Sequence, residues 1–553
     1  RVGRARAQAL LRLSAVDVRP VVARVREFID RRMDELVAPG VQVALTDRER
    51  TLAVICRGVA NADALIPVEP SHRFQIGSIG KGMTVMALLQ EREAGRLDLD
   101  APVTEYLPWL EIVSPYPPIT VHHLLSHTSG LIQGMDFTTE AAHEVWSLRE
   151  LEPGFAPGER FWYSNVGYKA LGLVLERLTG RPWFETVHER VMTAVGMQDS
   201  SPVITHDVRA SLAVGYGAAF DDRPWQPTHG VAPAPWLESG TADGTICATA
   251  DELAGYVRLL LNEGRGVVEP TSFSLMSSPM VVDEDSGERY GYGLRWTEGR
   301  LLGHSGSTVG YAAHASCDPA TGFGVAICTN GFGPRISLAT FALDTLAAAA
   351  GGGSLPEVPP LPDPWSVTGP ARYAGVFRGP AGSLEIAPAV YRLMAGFDGR
   401  WAQLRPFDPD DPGCFLIEDR DLDRFVLRFE MGEDGRAEIA HHGPDRYEVG
   451  GRSKGGPPSQ AGAEWGAVVG HYRSHDPWAS HIRVFLRDGE PWLQDPAHDE
   501  VRYHERPLRA LPDGSFRVGE PWSPDRIRFE TVIDGRATKA VYDCAPMYRT
   551  FTP

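Results

Sequence analysis

The C-terminal third of the chain holds two copies of one sequence pattern, and this repeat restricts the fold more than any other feature. Tyr373-Ala-Gly-Val-Phe-Arg378 recurs as Val469-Gly-His-Tyr-Arg473, and Asp434-Gly-Arg-Ala437 recurs as Asp534-Gly-Arg-Ala537. Each copy alternates strand-like runs with turn residues over about 80–90 positions, which is typical of a small antiparallel barrel with closed edges. The repeat therefore predicts two related antiparallel β-barrels, one over residues 371–450 and the other over residues 464–553.

Two linkers separate these copies from each other and from the rest of the chain. Residues 351–362 are rich in Gly and Pro, and residues 451–463 lie between the two copies. Near the N-terminus, apolar residues at three- and four-residue spacing predict a surface helix over residues 18–36. Strand-like runs on either side of the polar turn 47–50 predict a hairpin.

Strand signals return after residue 290, beyond a long region with helical patterns. The runs at 290–296, 301–304, 311–316 and 323–328 predict successive antiparallel strands, followed by a last helix over about 336–350. An antiparallel sheet with flanking terminal helices and an inserted helical region is an α+β arrangement. We therefore predict an α+β domain over residues 1–355, followed by the two barrels.

Charge and composition exclude several classes of function. The formal net charge of −18, without a basic block that would override it, argues against a nucleic-acid partner. No apolar run is long enough to span a bilayer, so we expect no membrane span. The six cysteines lack the spacing of a zinc or redox site. No intact signal peptide is visible at Arg1, and we expect a cytoplasmic protein.

The first candidate site is Ser78-Ile-Gly-Lys81, at the entrance to an apolar helix. Of the 54 basic residues only four are lysines, so 50 are arginines, and a lysine here suggests a task that arginine cannot perform. An ammonium can lose its proton and serve as a base, whereas a guanidinium cannot. Residues three apart share a helix face. We therefore predict that Ser78 is a nucleophile activated by Lys81, with its own amide as an oxyanion donor.

Tyr163 and Asn165 form the second candidate element, just before another apolar helix. A phenol beside an ammonium loses its proton more easily, so Tyr163 is predicted to take the Ser78 proton and return it to a leaving group. Asn165 is predicted to hold Lys81 and a substrate carbonyl through its amide. The simpler interpretation is an aromatic residue packed at a helix start, with Asn165 as the N-cap.

His304-Ser-Gly306-Ser307 forms the third candidate element, at the end of a predicted strand. Gly306 would let a substrate backbone lie close, and the amide of Ser307 is predicted to be the second oxyanion donor. His304 would donate a hydrogen bond to the substrate while mostly neutral at pH 7. The simpler interpretation is a histidine that caps a hairpin.

These three elements, in this order, resemble the penicillin-recognising serine hydrolases, most closely their class C β-lactamase-like branch. Thr120-Val-His-His-Leu-Leu-Ser-His-Thr-Ser-Gly-Leu131 and Tyr163-Ser-Asn-Val-Gly-Tyr168 also match this family. The resemblance covers about residues 18–350 and implies a β-lactamase-like, transpeptidase-like catalytic domain. A catalytic domain followed by two β-rich units is similar to the D-aminopeptidase layout, in which two antiparallel, lipocalin-like barrels follow the hydrolase.

The resemblance implies acylation of Ser78, with Lys81 and Tyr163 sharing the role of general base. Many β-lactamases and D,D-carboxypeptidases have lysine where this chain has His304, and that lysine helps to hold a substrate carboxylate. A neutral histidine attracts a carboxylate less. Histidine in place of lysine at position 304 therefore favours aminopeptidase, amidase or esterase activity over β-lactamase and carboxypeptidase activity.

Other histidines and serines lack the spacing that a metal site or a serine nucleophile requires. His123 and His127 are four apart and His122 adds to them, but no carboxylate follows at zincin spacing, so we expect neither a metal nor a cofactor. Ser129 and Ser305 are nucleophiles by residue type alone, without a lysine or a G-x-S-x-G elbow.

The sequence thus predicts an enzyme, a serine hydrolase of amides, small peptides or esters, with a preference for D-configured residues. The close alternative is an acyltransferase that uses the same acyl-Ser78 intermediate. The rival from another class is a penicillin-binding sensor or scaffold without turnover. The expected partner is a small-molecule or short peptide substrate, and the sequence leaves open whether the protein is a homo-oligomer.

Overall fold

The structure is a computed structural model that describes residues 17–32, 38–134, 138, 140–361, 363–408, 411–450, 465–496 and 503–550. The chain forms two compact units. The first consists of Arg1–Gly217 and Val231–Pro359, and the second of Ala218–Gly230 and Pro360–Pro553. The second predicted linker, at 451–463, lies outside the described residues.

Ten α-helices of the described residues lie within the first unit. They are α1 (Val18–Arg32), α2 (Gly80–Glu93), α3 (Val103–Tyr106), α4 (Val121–Leu125), α5 (Ala141–Ser147), α6 (Asn165–Thr179), α7 (Trp183–Val187), α8 (Ala250–Leu261), α9 (Pro270–Ser277) and α10 (Arg335–Gly351). The predicted N-terminal helix is confirmed as far as Arg32, and residues 33–37 lie outside the described residues.

An antiparallel sheet is the framework of the first unit. Its strands are β1 (Gly40–Thr46), β2 (Thr51–Asn61), β3 (Ile66–Pro67), β8 (Val281–Val282), β9 (Arg289–Tyr290), β10 (Arg295–Thr297), β11 (Leu301–Thr308), β12 (Tyr311–Asp318) and β13 (Phe323–Thr329). Their spatial order is β3-β2-β1-β13-β12-β11-β10-β9-β8. The short strands outside this sheet are β4 (Phe74–Gln75), β5 (Tyr216–Ala218), β6 (Val231–Pro233) and β7 (Cys247–Ala248).

Successive side chains of a strand point to opposite faces of the sheet, and helices cover both faces. On one face α1 and α10 pack together, with the rings of Phe28 and Phe341 stacked at 4.8 Å between centroids. On the other face α8 lies against β13, and Gly324 leaves room for Val257. The predicted α+β domain, with terminal helices flanking an antiparallel sheet, is confirmed.

Two local predictions are wrong. Residues 290–296 were expected to form one strand, but the chain turns at Gly293, whose φ is +64°, and the short strands β9 and β10 pair across the turn. His304 was expected at a strand end, but β11 continues to Thr308 and His304 pairs with Ala315 inside the ladder. His304 therefore does not cap a hairpin.

The second unit contains two closed antiparallel barrels of eight strands each, as the sequence repeat predicts. The first barrel consists of β14 (Gly375–Gly379), β15 (Gly382–Ala389), β16 (Arg392–Phe397), β17 (Arg400–Pro406), β18 (Cys414–Ile417), β19 (Leu427–Met431), β20 (Ala437–His442) and β21 (Asp445–Val449). The second consists of β22 (Gly470–Arg473), β23 (His481–Arg487), β24 (Glu490–Pro496), β25 (Tyr503–Ala510), β26 (Phe516–Val518), β27 (Arg526–Ile533), β28 (Arg536–Tyr542) and β29 (Ala545–Arg549).

Segment Ala218–Gly230 lies far from the barrels in the sequence but belongs to their compact unit. Asp423 of the first barrel accepts hydrogen bonds from Arg223 and contacts His229, both at 2.7 Å. Arg473 of the second barrel forms an ion pair with Asp221. The segment is thus held by charged groups of both barrels, a contact that the linear pattern of the chain does not indicate.

The described helices include none that is both long and apolar enough to cross a membrane. Cys56, Cys247, Cys317, Cys328 and Cys414 are free thiols, and all of these but Cys56 are buried.

Candidate active site

Ser78 and Lys81 meet at a change in helix geometry. Ser78 lies in the single 3₁₀ turn Gly77–Ile79, and α2 begins at Gly80. The Nζ of Lys81 lies 2.9 Å from the Oγ of Ser78, within hydrogen-bond distance. Because α2 is buried along most of its length, the Lys81 side chain is fully buried. The spacing therefore brings the hydroxyl and the amine together, as the sequence predicts.

Lys81 has two further hydrogen-bond acceptors. Its Nζ donates to Oδ1 of Asn165 at 2.7 Å and to the backbone carbonyl of Asp243. With the Ser78 hydroxyl these make three acceptors, which match the three N–H groups of an ammonium. A neutral amine in this position would keep the Asn165 and Asp243 hydrogen bonds and direct its lone pair at the Ser78 hydroxyl.

The start of α6 directs Asn165 towards Lys81. Ser164 is the N-cap, because its Oγ accepts a hydrogen bond from the amide of Gly167 at 3.1 Å. The interpretation of Asn165 as the N-cap is therefore wrong. With the cap supplied by its neighbour, the Asn165 amide is available to Lys81.

Tyr163 lies beside Lys81. The Nζ of Lys81 is 4.9 Å from the centroid of the Tyr163 ring. The Tyr163 hydroxyl is buried, and no described residue forms a hydrogen bond with it. The geometry brings the phenol to the amine, and the proton transfer expected of Tyr163 remains a prediction.

Strand β11 approaches the Ser78 turn so closely that only glycine fits at positions 77 and 306. A Cβ on Gly306 would lie 1.9 Å from the carbonyl oxygen of Ile76 and 2.9 Å from the amide nitrogen of Ser78. A Cβ on Gly77, whose φ is +53°, would lie 2.6 Å from the amide nitrogen of Ser307. The backbone amides of Ser78 and Ser307 are therefore neighbours, as an oxyanion site requires.

His304 is a neutral, buried group. Its Nδ1 contacts the carbonyl oxygen of Ser305, which can only accept, so Nδ1 carries the proton. Its Nε2 then accepts from the hydroxyl of Tyr290 at 3.2 Å. Burial, followed by the charge of Arg295, holds the pKa of His304 well below its ordinary value. The predicted substrate contact of His304 remains a prediction, since protein groups engage both of its ring nitrogens here.

Sequence reasoning missed several residues of the site. Asp243 contributes a backbone carbonyl, which leaves no side-chain signal in the sequence. Arg295, whose Cζ lies 5.9 Å from the Tyr163 ring centroid, pairs with Asp283 at 2.8 Å and with Glu288 at 3.2 Å. Tyr290 was noticed only as a strand former. Asp243, Tyr290 and Arg295 are distant from Ser78 in the chain, so only tertiary packing brings them to the site.

Besides the Ser78–Lys81 pair, a serine and a histidine are in contact between strands β11 and β12. The Oγ of Ser305 is 2.8 Å from Nδ1 of His314. Burial, with a smaller effect from Arg335, lowers the pKa of His314 to about 3. Such an imidazole is a weak proton acceptor at neutral pH. The geometry therefore favours Ser78 over Ser305 as the nucleophile.

The low pKa of His314 predicts a pH dependence of stability. Between pH 6.5 and about 3 the unfolded chain binds a proton at this residue and the folded chain does not. The free energy of unfolding should therefore fall, as the pH decreases, by about 1.4 kcal/mol per pH unit from this residue alone. We expect His314→Asn to reduce the slope by about that amount in urea titrations at pH 6, 5 and 4. Equal slopes for variant and wild type would contradict this.

The three histidines His122, His123 and His127 have separate partners. Nδ1 of His122 lies 2.6 Å from the hydroxyl of Tyr292, and Nδ1 of His123 lies 3.0 Å from the hydroxyl of Thr120. His127 accepts a hydrogen bond from the amide of Ser164. Within the described ranges, no group of three or more His, Cys, Asp or Glu side chains could hold a metal ion.

A serine and a lysine in contact at the start of a buried helix, beside an antiparallel sheet, define a serine hydrolase of the penicillin-recognising class. The family described as Beta-lactamase matches residues 25–349, which is more than half of the chain. The chain belongs to this family.

Comparison with individual proteins agrees with this assignment. Penicillin-binding protein 4 of Amycolatopsis lactamdurans is 26% identical over 355 residues, covering 60% of this chain and 91% of that protein. Esterase EstB of Burkholderia gladioli is 30% identical over 208 residues, covering 34% of this chain and 52% of that protein. The octameric penicillin-binding protein homologue from Pyrococcus abyssi has a similar fold, with a TM-score of 0.57 and 23% identity. That similarity covers 77% of this chain and 99% of that chain.

Proposed function

We propose that the protein hydrolyses amide or ester bonds of small substrates through a covalent acyl-Ser78 intermediate. The observation that carries this proposal is the buried Lys81 amine, which Asn165 and Asp243 hold with its Nζ 2.9 Å from the Ser78 hydroxyl, so that the neutral amine directs its lone pair at that hydroxyl. That arrangement places a base within hydrogen-bond distance of a nucleophile.

Acylation moves one proton and exchanges one bond. The neutral amine of Lys81 takes the Ser78 proton while Oγ bonds to the substrate carbonyl carbon. The amides of Ser78 and Ser307 stabilise the negative carbonyl oxygen of the tetrahedral intermediate. When the intermediate collapses, the amine or alcohol leaves with a proton returned through Lys81 or Tyr163.

Deacylation repeats these steps with a second nucleophile. Water attacks the acyl carbon, gives up its proton to Lys81 or Tyr163, and releases the acid while Ser78 regains its hydrogen. An amine or alcohol in place of water would give acyl transfer with the same residues.

The charges around the site favour substrates without a free carboxylate. His304, at the position where many relatives of the proposed class have lysine, is held neutral by its burial. Arg295 already pairs with two carboxylates. Esterase EstB, among the relatives, is named for ester cleavage and fits this preference, whereas Penicillin-binding protein 4 is named for binding penicillin. We propose aminopeptidase, amidase or esterase activity, with D-aminoacyl compounds as the first peptides to test.

The organisation outside the site is part of the same proposal. We propose a hydrolase domain over residues 1–355 and barrel domains over residues 371–450 and 464–553.

The octameric assembly named for the Pyrococcus abyssi homologue supports a homo-oligomer of this chain. Light scattering of the purified protein would test this proposal.

A substrate panel tests the proposed reaction. We expect turnover of D-aminoacyl p-nitroanilides and p-nitrophenyl esters, with kcat/KM at least about tenfold above that for the matching peptide with a free C-terminal carboxylate. One lost charge contact of roughly 1.4 kcal/mol corresponds to such a factor. A chromogenic cephalosporin is expected to be the poorest substrate.

Two outcomes would change the proposal. A preference for the carboxylate-tailed peptide would contradict the role given to the neutral His304. Stoichiometric acylation by a penicillin without turnover of any compound would favour a sensor or scaffold. Product analysis with added amine distinguishes hydrolysis from transfer.

A further inference from the structure

His127 lies in the centre of the site, although no part of the proposed reaction uses it. It follows α4 and is fully buried, with a φ of +56°. Residues other than glycine rarely adopt this left-handed conformation, and such a conformation persists only where surrounding contacts fix it. The contacts of His127 therefore show which neighbouring groups this conformation serves to hold.

Two hydrogen bonds join His127 to the backbone on either side of Tyr163. The amide of Trp162 donates to the carbonyl oxygen of His127 at 2.8 Å. The amide of Ser164 donates to Nδ1 of His127 at 2.9 Å. One residue thus fixes the chain immediately before and immediately after the phenol.

The His127 ring also fixes the plane of the phenol. Its centroid lies 4.2 Å from that of Tyr163, with 32° between the ring planes. Tyr168 and Tyr290 contact the same imidazole, with centroids at 4.9 Å and 5.0 Å. The imidazole is therefore packed among three tyrosine rings.

The protonation state follows from these contacts. Because Nδ1 accepts a hydrogen bond, the proton of a neutral imidazole is on Nε2. That nitrogen is buried and has no hydrogen-bond partner within the part of the chain that the structure describes. Burial, followed by the charge of Lys81, holds the pKa of His127 well below its ordinary value. The ring therefore adds no second positive charge beside Lys81.

We propose that His127 is a positioning residue that holds the Tyr163–Asn165 segment against Lys81, through its carbonyl, its Nδ1 acceptor and its ring. This inference rests on the proposed function, because the segment it positions supplies Tyr163 and Asn165. Chemically, His127 takes part in no bond making. It determines where the phenol and the amide are when Ser78 reacts.

Three substitutions separate the parts of this role. His127→Phe keeps a ring but removes the acceptor, and His127→Gly removes both while relieving the left-handed strain. His127→Asn keeps an acceptor near the Nδ1 position in a residue that tolerates this φ. A misplacement of about 1 Å in catalytic groups can reduce rates about 100-fold.

The first measurement is the rate at which a fluorophosphonate probe labels Ser78, together with kcat and KM on a p-nitrophenyl ester. We expect about 100-fold losses in labelling rate and kcat for His127→Phe and His127→Gly, little change in KM, and partial rescue in His127→Asn. His123→Asn, in α4, is the matched control and should stay near wild type. Labelling of all His127 variants at the wild-type rate would overturn the inference and leave the proposed function intact.

The second measurement does not depend on catalysis. Hydrogen exchange should show a protected Ser164 amide in the wild type, and that protection should be lost in His127→Gly, which lacks the Nδ1 acceptor, while β11 stays protected. Unchanged protection would overturn the inference even if the wild type proved unreactive. A wild type that the probe does not label at Ser78 would instead contradict the proposed function.

Discussion

Replacement of Ser78 by alanine is expected to lower kcat/KM for amide and ester substrates by about 10⁴-fold or more, because no acyl-enzyme can form without the hydroxyl. The Lys81 ammonium would keep Asn165 and Asp243 as partners, so the fold should persist. Intact-protein mass spectrometry with a fluorophosphonate probe should show one label on the wild type and none on the variant.

Ser305→Ala is the matched control, since it removes a hydroxyl from the neighbouring strand β11. The Ser305 hydroxyl contacts His314, whose pKa of about 3 makes it a poor base. We expect this variant to retain most activity and its label. Retained turnover in Ser78→Ala, with loss in Ser305→Ala, would reassign the nucleophile.

Lys81→Arg is expected to lower kcat by about 10³-fold although the positive charge is kept. General-base catalysis contributes about 10²–10⁴-fold, and a guanidinium cannot supply it because it does not lose its proton. Steady-state kinetics with active-site titration would measure the loss. An effect of charge alone would leave the arginine variant active, and that result would remove Lys81 from the role of base.

Lys169→Arg provides the same substitution at a second buried lysine. Lys169 forms an ion pair with Glu144 at 2.5 Å, and both side chains are about 1% exposed. Arginine can still pair with a carboxylate. We expect kcat to stay close to wild type in this variant, and chemical denaturation would report any loss of stability separately in both variants.

The buried Lys169–Glu144 ion pair shows that a lysine in this lysine-poor chain can have a structural role. Scarcity of lysine suggested a special task for Lys81, yet the equally scarce Lys169 serves as a buried ion-pair partner on α6. What distinguishes Lys81 is its surroundings: no carboxylate pairs with it among the described ion pairs, and its acceptors are neutral. Such surroundings cannot be inferred from composition.

Periodic and repeated patterns in the sequence were sufficient for the larger elements. The duplicated β-rich segments predicted two closed barrels, because alternating short strands must pair their edges with each other. Helix α10, predicted over 336–350, begins at Arg335 and ends at Gly351. The turn at Gly293 was missed because the residues around it are good strand formers, whereas Gly293 takes a φ of +64° that breaks the strand into β9 and β10.

The sequence by itself determined the Ser78–Lys81 contact, since residues three apart at a helix start are neighbours in any fold that contains that helix. Tertiary structure decided the rest of the site. It supplied the Asp243 carbonyl, the neutral state of His304 and the packing of His127 on Tyr163. The physical reason is that hydrogen-bond geometry and burial depend on groups distant in the chain, and these meet only when the sheet, α2 and α6 have packed together.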